Sequence, residues 1–195
     1  MRTRLKFTVI LLTLLYIHTS ATAVVFYSNP EDLSAYVGNG LYPENGYQKK
    51  IPLSSNWQFR LEGEDEWSDI YIPSAFDGYE PGKNIFFRTN FFIGGKRSSE
   101  RSYKLLFYGV NYKCNVKVND VFIENHSSPN YFEINLSSDD LNFSETNTLL
   151  IEVNNKLTDN TIPSRMQVNG WKNYGGIFRD VYLIINSQIH ISDTD

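Results

Sequence analysis

The stretch that decides the class of fold is Cys-Asn-Val-Lys-Val-Asn-Asp-Val-Phe-Ile, residues 114 to 123. Apolar and polar side chains alternate over its first five positions, which is the period of a strand with one buried face. Asn119-Asp120 then supplies a tight-turn signal, and Val121 begins a return strand. The stretch therefore predicts a β-hairpin. It also predicts that Cys114 is a buried, inert thiol, because Cys114 shares the apolar face of the strand.

The same alternation recurs on both sides of this hairpin. The apolar positions that alternate are Trp57, Phe59 and Leu61; Ile70 and Ile72; Phe87, Thr89, Phe91 and Ile93; Tyr103, Leu105 and Phe107; Phe132, Ile134 and Leu136; Leu149, Ile151 and Val153; Val181, Leu183 and Ile185; and Ile189 and Ile191. Only Ser137 to Leu141 looks like a short helical turn, and no longer window has a helical stripe. The sequence predicts an all-β fold, a jelly-roll β-sandwich of about eight to ten strands. We expect five residues to share its core: Phe107, Val118, Ile134, Ile151 and Val181.

Composition excludes several classes of protein. The chain has 195 residues, of which 41% are hydrophobic and 15% aromatic, and its net charge is −4. An acidic chain lacks the clustered Lys and Arg that phosphate contacts need, so we expect no nucleic-acid partner. One cysteine cannot form an internal disulfide or a cysteine-based zinc site. We expect no metal and no cofactor.

The N-terminus has the pattern of a secretory signal peptide. Arg2, Arg4 and Lys6 precede the mostly apolar run Phe7–Ile17, and Ala21-Thr22-Ala23 resembles a cleavage site. The apolar run is shorter than the about 20 residues of a membrane span, so we expect no membrane anchor. A buried N-terminal strand is the alternative interpretation. The sequence thus predicts a signal peptide over residues 1–23 and an exported protein, periplasmic or extracellular. An N-terminal arm over 24–50 and a jelly-roll domain over 51–195 follow.

An ordered series of motifs then suggests a family. The motifs are LSSNWQF at 53–59, IPS at 72–74, FFRTNF at 86–91, LFYGV at 106–110, VKVND at 116–120, VNNKL at 153–157, TIP at 161–163 and NYGGIFRDV at 173–181. Together they resemble the N-terminal sugar-binding jelly-roll domain of glycoside hydrolase family 2, which is galactose-binding-domain-like. The resemblance is nearest to enzymes of the β-glucuronidase and β-galactosidase type. It implies carbohydrate as a partner and a role in carbohydrate metabolism.

The resemblance also implies where catalysis takes place. Family 2 enzymes hydrolyse β-glycosides with two glutamates about 5 Å apart, which in the family lie on a barrel downstream of this domain. The acid/base glutamate there follows an Asn, and no Asn-Glu dipeptide occurs in this sequence. The acidic residues Glu62, Glu64, Asp65 and Glu66 surround Gly63 and are more typical of a solvated turn. We therefore expect no catalytic residue and no hydrolysis by this chain alone.

Two functions remain open at this point. The first is a non-catalytic carbohydrate-binding or accessory domain of an exported family 2 hydrolase, whose partner would be a downstream catalytic domain. The second is a stand-alone secreted carbohydrate-binding or protein-interaction module.

The candidate site residues lie around NYGG and at the C-terminal end of the sequence. Trp171, Asn173 and Tyr174 combine aromatic rings with an amide, which is the chemistry of sugar contact. Trp57 is predicted to be buried, whereas Trp67 remains ambiguous. Gly175-Gly176 suggests backbone with positive φ or a close approach of two chains, so a structural bulge is the alternative to sugar contact.

Further candidates come from the expected domain junction. We expect Arg179 and Asp180 to be adjacent in a strand and so to point to opposite faces, which would let one of them meet the domain surface and the other a neighbouring domain. In β-glucuronidases an Asp before NYGG approaches the substrate, whereas this sequence has Gly170 there, which argues against glucuronide specificity. Asp193, in Ile-Ser-Asp, matches a residue that contacts substrate or sodium in β-galactosidase-like sequences, and a linker residue is the alternative.

Overall fold

The strands are short and cover just over half of the residues that the structure describes. A computed structural model describes residues 24–27 (as backbone), 48–77, 82–167 and 173–187. The strands are Val24–Tyr27 (β1), Gln48–Pro52 (β2), Trp57–Leu61 (β3), Ser68–Ile70 (β4), Ser74–Asp77 (β5), Ile85–Phe92 (β6), Arg101–Phe107 (β7), Val110–Asn111 (β8), Lys113–Val118 (β9), Val121–Ser127 (β10), Phe132–Leu136 (β11), Thr146–Asn154 (β12), Gly176–Ile177 (β13) and Val181–Ser187 (β14). One 3₁₀ turn, Arg165–Gln167, is the sole helical element of these residues. Within the same residues, no helix has the length and apolar character that crossing a membrane requires.

The strand pairing is that of a jelly roll. Antiparallel pairs nest one inside another, with β2 on β14, β6 on β12, β7 on β11 and β9 on β10. Such nesting rolls one long hairpin into two sheets. One sheet has the order β11-β7-β14-β2, and the other has the order β10-β9-β12-β6-β3-β4. The predicted β-sandwich is confirmed.

The core lies between these two sheets. Phe107, Val118, Ile134 and Ile151 are fully buried and Val181 nearly so, and all five belong to one apolar cluster. The predicted common core is therefore correct. Trp57 is also buried in this cluster, as predicted.

The hairpin that opened the sequence argument forms as expected. Asn119 and Asp120 have φ of 50° and 64°, the left-handed backbone that a two-residue turn needs to match strand twist. The side chain of Asn119 also ties the turn to β12, since its Oδ1 accepts from Thr148 N at 3.0 Å.

The expected number of strands is wrong. We expected about eight to ten, whereas the described residues contain 14. The additional strands include the two-residue β8 and β13, which are too short to show a period of two. The predicted arm over residues 24–50 contains β1 and the start of β2, which pair with β5 and β14. These strands escaped prediction because the apolar alternation there is weak. The predicted strand residues Ile189 and Ile191 lie outside the described residues.

Candidate functional site

The NYGG segment is held on both sides by backbone. Gly175 exchanges two hydrogen bonds with Phe76, of 2.8 and 3.1 Å. The next two residues form β13, which pairs with β8 through Gly176 opposite Asn111 and Ile177 opposite Val110. The segment therefore bridges β5 and β8, which are far apart in sequence.

Gly176 meets both requirements that the sequence suggested for the Gly-Gly pair. Its φ is 119°, a conformation that residues with a side chain rarely adopt. A Cβ there would also lie 3.1 Å from the carbonyl oxygen of Ser74 and 3.3 Å from the Phe76 ring. The close approach of two chains and the positive φ thus occur at the same residue.

Three asparagines lock the beginning of the motif. Asn155 Nδ2 donates to the carbonyl oxygen of Asn173 at 2.8 Å, and Asn173 Nδ2 donates back to the carbonyl oxygen of Asn155. Asn111 Nδ2 donates to Asn173 Oδ1 at 3.1 Å and also to the carbonyl oxygen of Tyr174. Both ends of the Asn173 amide are thereby engaged within the protein. Asn173 is placed as an anchor of this loop, and Tyr174 beside it is half-buried.

The remaining candidates are divided between the described residues and the rest of the chain. Trp171 and Asp193 lie outside the described residues. Arg179 and Asp180 lie in the bend between β13 and β14, so the expectation that they belong to a strand is wrong. The bend is shaped by Phe178, whose ring packs on the backbone of Gly109: a Cβ there would lie 2.6 Å from the ring. Arg179 is exposed, whereas Asp180 is half-buried.

Asp180 belongs to a polar cluster on the outer face of the four-stranded sheet. Tyr182 Oη donates to Asp180 Oδ2 at 3.4 Å. Lys50 Nζ lies 4.0 Å from the centroid of the Tyr182 ring and donates to Tyr108 Oη at 3.3 Å. Burial raises the pKa of Asp180, while the Tyr182 hydrogen bond and the Lys50 charge oppose that rise. Burial, together with the Asp180 charge, raises the pKa of the Tyr182 hydroxyl. Asp180 is thus placed to hold Tyr182.

The acidic residues near Gly63 form a turn. Asn84 N donates to Glu62 Oε2 at 2.9 Å, and Leu61 N donates to Glu64 Oε2 at 3.3 Å. Glu62 and Glu64 are exposed and bind backbone amides at the ends of strands. Both carboxylates thus serve the turn, as the sequence predicted. Cys114 is buried, as predicted, and burial raises the pKa of its thiol to about 12.

Two aromatic rings on the outer face of the six-stranded sheet are covered by arginines. The guanidinium of Arg88 lies 4.1 Å from the centroid of the Trp67 ring, and that of Arg60 lies 4.6 Å from the Phe86 ring. Such cation–π contacts hold the guanidinium groups against the sheet. Trp67, ambiguous in the sequence, is therefore part of a stacked surface layer.

Sequence reasoning missed a polar groove beside this layer, named here the outer-sheet groove. Its volume is about 390 Å³, and its lining includes Asn84, Lys113, Asn115, Glu152, Asn154 and Lys156. Each polar strand residue occupies a position that alternates with a core residue. That alternation marks an outer face, but it does not show which strands meet there.

The comparisons with known proteins were made on this fold. No protein-family model and no curated protein sequence matches the chain. Among solved structures, a β-D-glucuronidase of Dictyoglomus thermophilum has a TM-score of 0.66 and 24% identity over 79% of this chain. A putative β-galactosidase of Bacteroides fragilis has a TM-score of 0.64 and 21% identity over 75% of the chain. A β-glucuronidase of Faecalibacterium prausnitzii has a TM-score of 0.65 and 18% identity over 78%.

The likeness is one of fold. It confirms, at that level, the predicted resemblance to β-glucuronidases and β-galactosidases. The match covers only 31%, 25% and 34% of these three solved chains. This chain therefore corresponds to about a quarter to a third of their length.

Proposed function

We propose that this chain is a non-catalytic carbohydrate-binding or accessory domain of an exported family 2 glycoside hydrolase. The observation that carries the proposal is the fold match, which takes in about three quarters of this chain and a quarter to a third of each glycosidase. The ordered sequence motifs support the proposal independently. One of them, NYGGI, contains Gly176, which pairs with β8 and has little room for a side chain.

Chemistry supports a role without catalysis. Hydrolysis of a glycoside through an oxocarbenium-like transition state needs a positioned acid and a nucleophile or base on the two sides of the bond. Among the described residues, Glu62 and Glu64 accept hydrogen bonds from backbone amides, and Asp180 accepts one from Tyr182. In this proposal the catalytic glutamates belong to a separate barrel domain.

The first experiment measures activity. The purified 195-residue chain is incubated with aryl β-galactosides, β-glucuronides and β-mannosides, and release of the aryl group is recorded. No turnover above a heat-denatured control is expected. Turnover that co-purifies with the chain through successive columns would contradict the accessory role.

Sequencing the DNA downstream of codon 195 separates the two open functions. A continuing reading frame that encodes a barrel would support the hydrolase domain. A stop codon would support a stand-alone module.

The loop that ends in Asn173 is the proposed place of sugar contact. Asn173 is held by Asn111 and Asn155, and Trp171 stands two positions before it in the sequence. Trp171→Ala should weaken binding in a glycan array, and Trp171→Phe should preserve part of it because a ring remains. Unchanged glycan affinity in Trp171→Ala would remove this site and leave the fold assignment standing.

A junction with the catalytic domain is proposed at three residues. These are Arg179, Asp180 and Asp193.

Export is tested by mass. The secreted protein should begin at Val24, after cleavage that follows Ala23. An intact mass that retains residues 1–23 would contradict the signal peptide.

A further inference from the structure

The outer-sheet groove is built by two adjacent rungs of the six-stranded sheet. In one rung, Asn115 lies opposite Glu152 and Glu152 lies opposite Phe86. In the next rung, Lys113 lies opposite Asn154. Opposed residues on one face of a sheet have Cβ atoms about 4.5–5.5 Å apart, so these side chains form one continuous floor.

Hydrogen bonds hold the amides of this floor in place. Asn115 Nδ2 donates to Glu152 Oε2 at 3.1 Å. Asn154 Nδ2 donates to Asn84 Oδ1 at 2.7 Å and to the carbonyl oxygen of Gly82 at 2.9 Å. Asn154 Oδ1 accepts from Lys156 N at 2.8 Å, so the Asn154 amide is engaged within the protein and holds the floor in shape. The amides of Asn84 and Asn115 and the Glu152 carboxylate supply both donors and acceptors, which is what a ligand bearing several hydroxyls requires.

Two lysines give the groove its charge. Lys113 and Lys156 are exposed, and neither has an ion-pair partner among the described residues. Glu152 is the single acidic residue that lines the groove. The groove therefore carries a positive excess on a chain whose net charge is −4. The Lys156 stem lies beside Gly82, with its Cδ 3.4 Å from where a Cβ would stand, so its ammonium borders the groove.

We propose that the outer-sheet groove binds an anionic oligosaccharide, with hydroxyls on the asparagine floor and a carboxylate or sulfate between Lys113 and Lys156. A volume of about 390 Å³ lies within the range of small-ligand sites. The lining of this groove does not include Asn173 or Tyr174, and the site goes beyond the proposed function.

The test compares acidic and neutral sugars on the full chain. Isothermal titration at low salt would use trigalacturonate, a heparin-derived tetrasaccharide and neutral cellotriose. At least one acidic sugar should bind about tenfold tighter than cellotriose, because only an acidic sugar can form charge-assisted hydrogen bonds with the two lysines. Because a heparin fragment carries carboxylates as well as sulfates, tight binding of trigalacturonate would show that a carboxylate is sufficient, and tight binding of the heparin tetrasaccharide alone would show that sulfate is required. Equal affinity for all three sugars would overturn the proposal, as would equally tight binding of a single-stranded DNA oligonucleotide of the same charge.

Charge variants locate the site. Lys113→Gln combined with Lys156→Gln should weaken acidic-sugar binding about tenfold. Glu152→Gln should strengthen it, because a like charge is removed while an acceptor for Asn115 remains. The matched control is Lys117→Gln, on the same face of β9 and about 13 Å further along, which should change affinity less than about twofold. Circular dichroism checks that each variant folds.

Two outcomes of the variant series would refute the assignment. One is a Lys117→Gln effect as large as that of the double variant. The other is weaker binding in Glu152→Gln. Trp171→Ala should leave this binding unchanged, so failure of the groove and failure of the proposed sugar-contact loop are distinguishable.

Discussion

Replacing Gly176 by alanine tests the structural account of the NYGG motif most directly. The added Cβ meets two separate penalties at this residue. A φ of 119° is strained for alanine, which costs about 1–3 kcal/mol. A Cβ 3.1 Å from the carbonyl oxygen of Ser74 forces the backbone of β5 or β13 to shift, which costs a further about 1–3 kcal/mol. The free energy of unfolding should fall by about 2–6 kcal/mol in total.

The control separates strain from crowding. Gly63 and Gly95 have φ of 90° and 91°, and nothing lies within 4 Å of a Cβ at either residue. Gly63→Ala and Gly95→Ala should therefore lose only the strain term, about 1–3 kcal/mol. Urea unfolding of the three variants and the parent chain, followed by circular dichroism, gives the four free energies. If Gly176→Ala loses no more stability than both controls, the close approach of β5 and β13 has no energetic consequence and the reasoning is refuted.

Three further predictions follow from buried side chains. Ile151→Ala should destabilise the chain by about 2–5 kcal/mol in urea unfolding, because Ile151 is fully buried, and a loss below about 0.5 kcal/mol would mean that its face is wrongly assigned. Cys114, with a pKa of about 12, should be about one part in ten thousand thiolate at pH 8 and react with a thiol reagent only after unfolding; rapid labelling of the native chain would contradict its burial. Burial lowers the pKa of His126 from 6.5, so the free energy of unfolding should fall as pH drops below about 6.5. If the free energy of unfolding of His126→Gln changes with pH in the same way, another group is responsible.

The pattern of neighbouring residues in the sequence was sufficient to predict much of the fold. The turn at Asn119 and Asp120 depends on the residue types in the turn itself, and the two residues have the left-handed φ that such turns need. The core positions Val118 and Ile151 follow from a period of two, because a strand with one buried face must alternate. These features depend on neighbours within a few residues, so the sequence predicts them.

The site depends on contacts that no local pattern contains. Asn111 and Asn173 are 62 positions apart, and Asn84 and Asn154 are 70 apart, yet each pair is hydrogen-bonded. Sequence reasoning selected Asn173 as a sugar-contact candidate because an exposed amide and an anchored amide look alike in one dimension. It also identified the polar faces of β9 and β12 without the groove that they form together.

The sequence by itself determined the longer alternating strands, the turn and the inward faces, because these depend on side-chain alternation and on backbone preferences of single residues. Tertiary structure alone decided three features. Gly176 lies against the carbonyl oxygen of Ser74, Asn173 anchors its loop, and Lys113 and Glu152 line one groove. The physical reason is that strand register and sheet order are set by packing of the whole core. Outward-facing residues take their neighbours from that packing, and their own identities specify it only weakly.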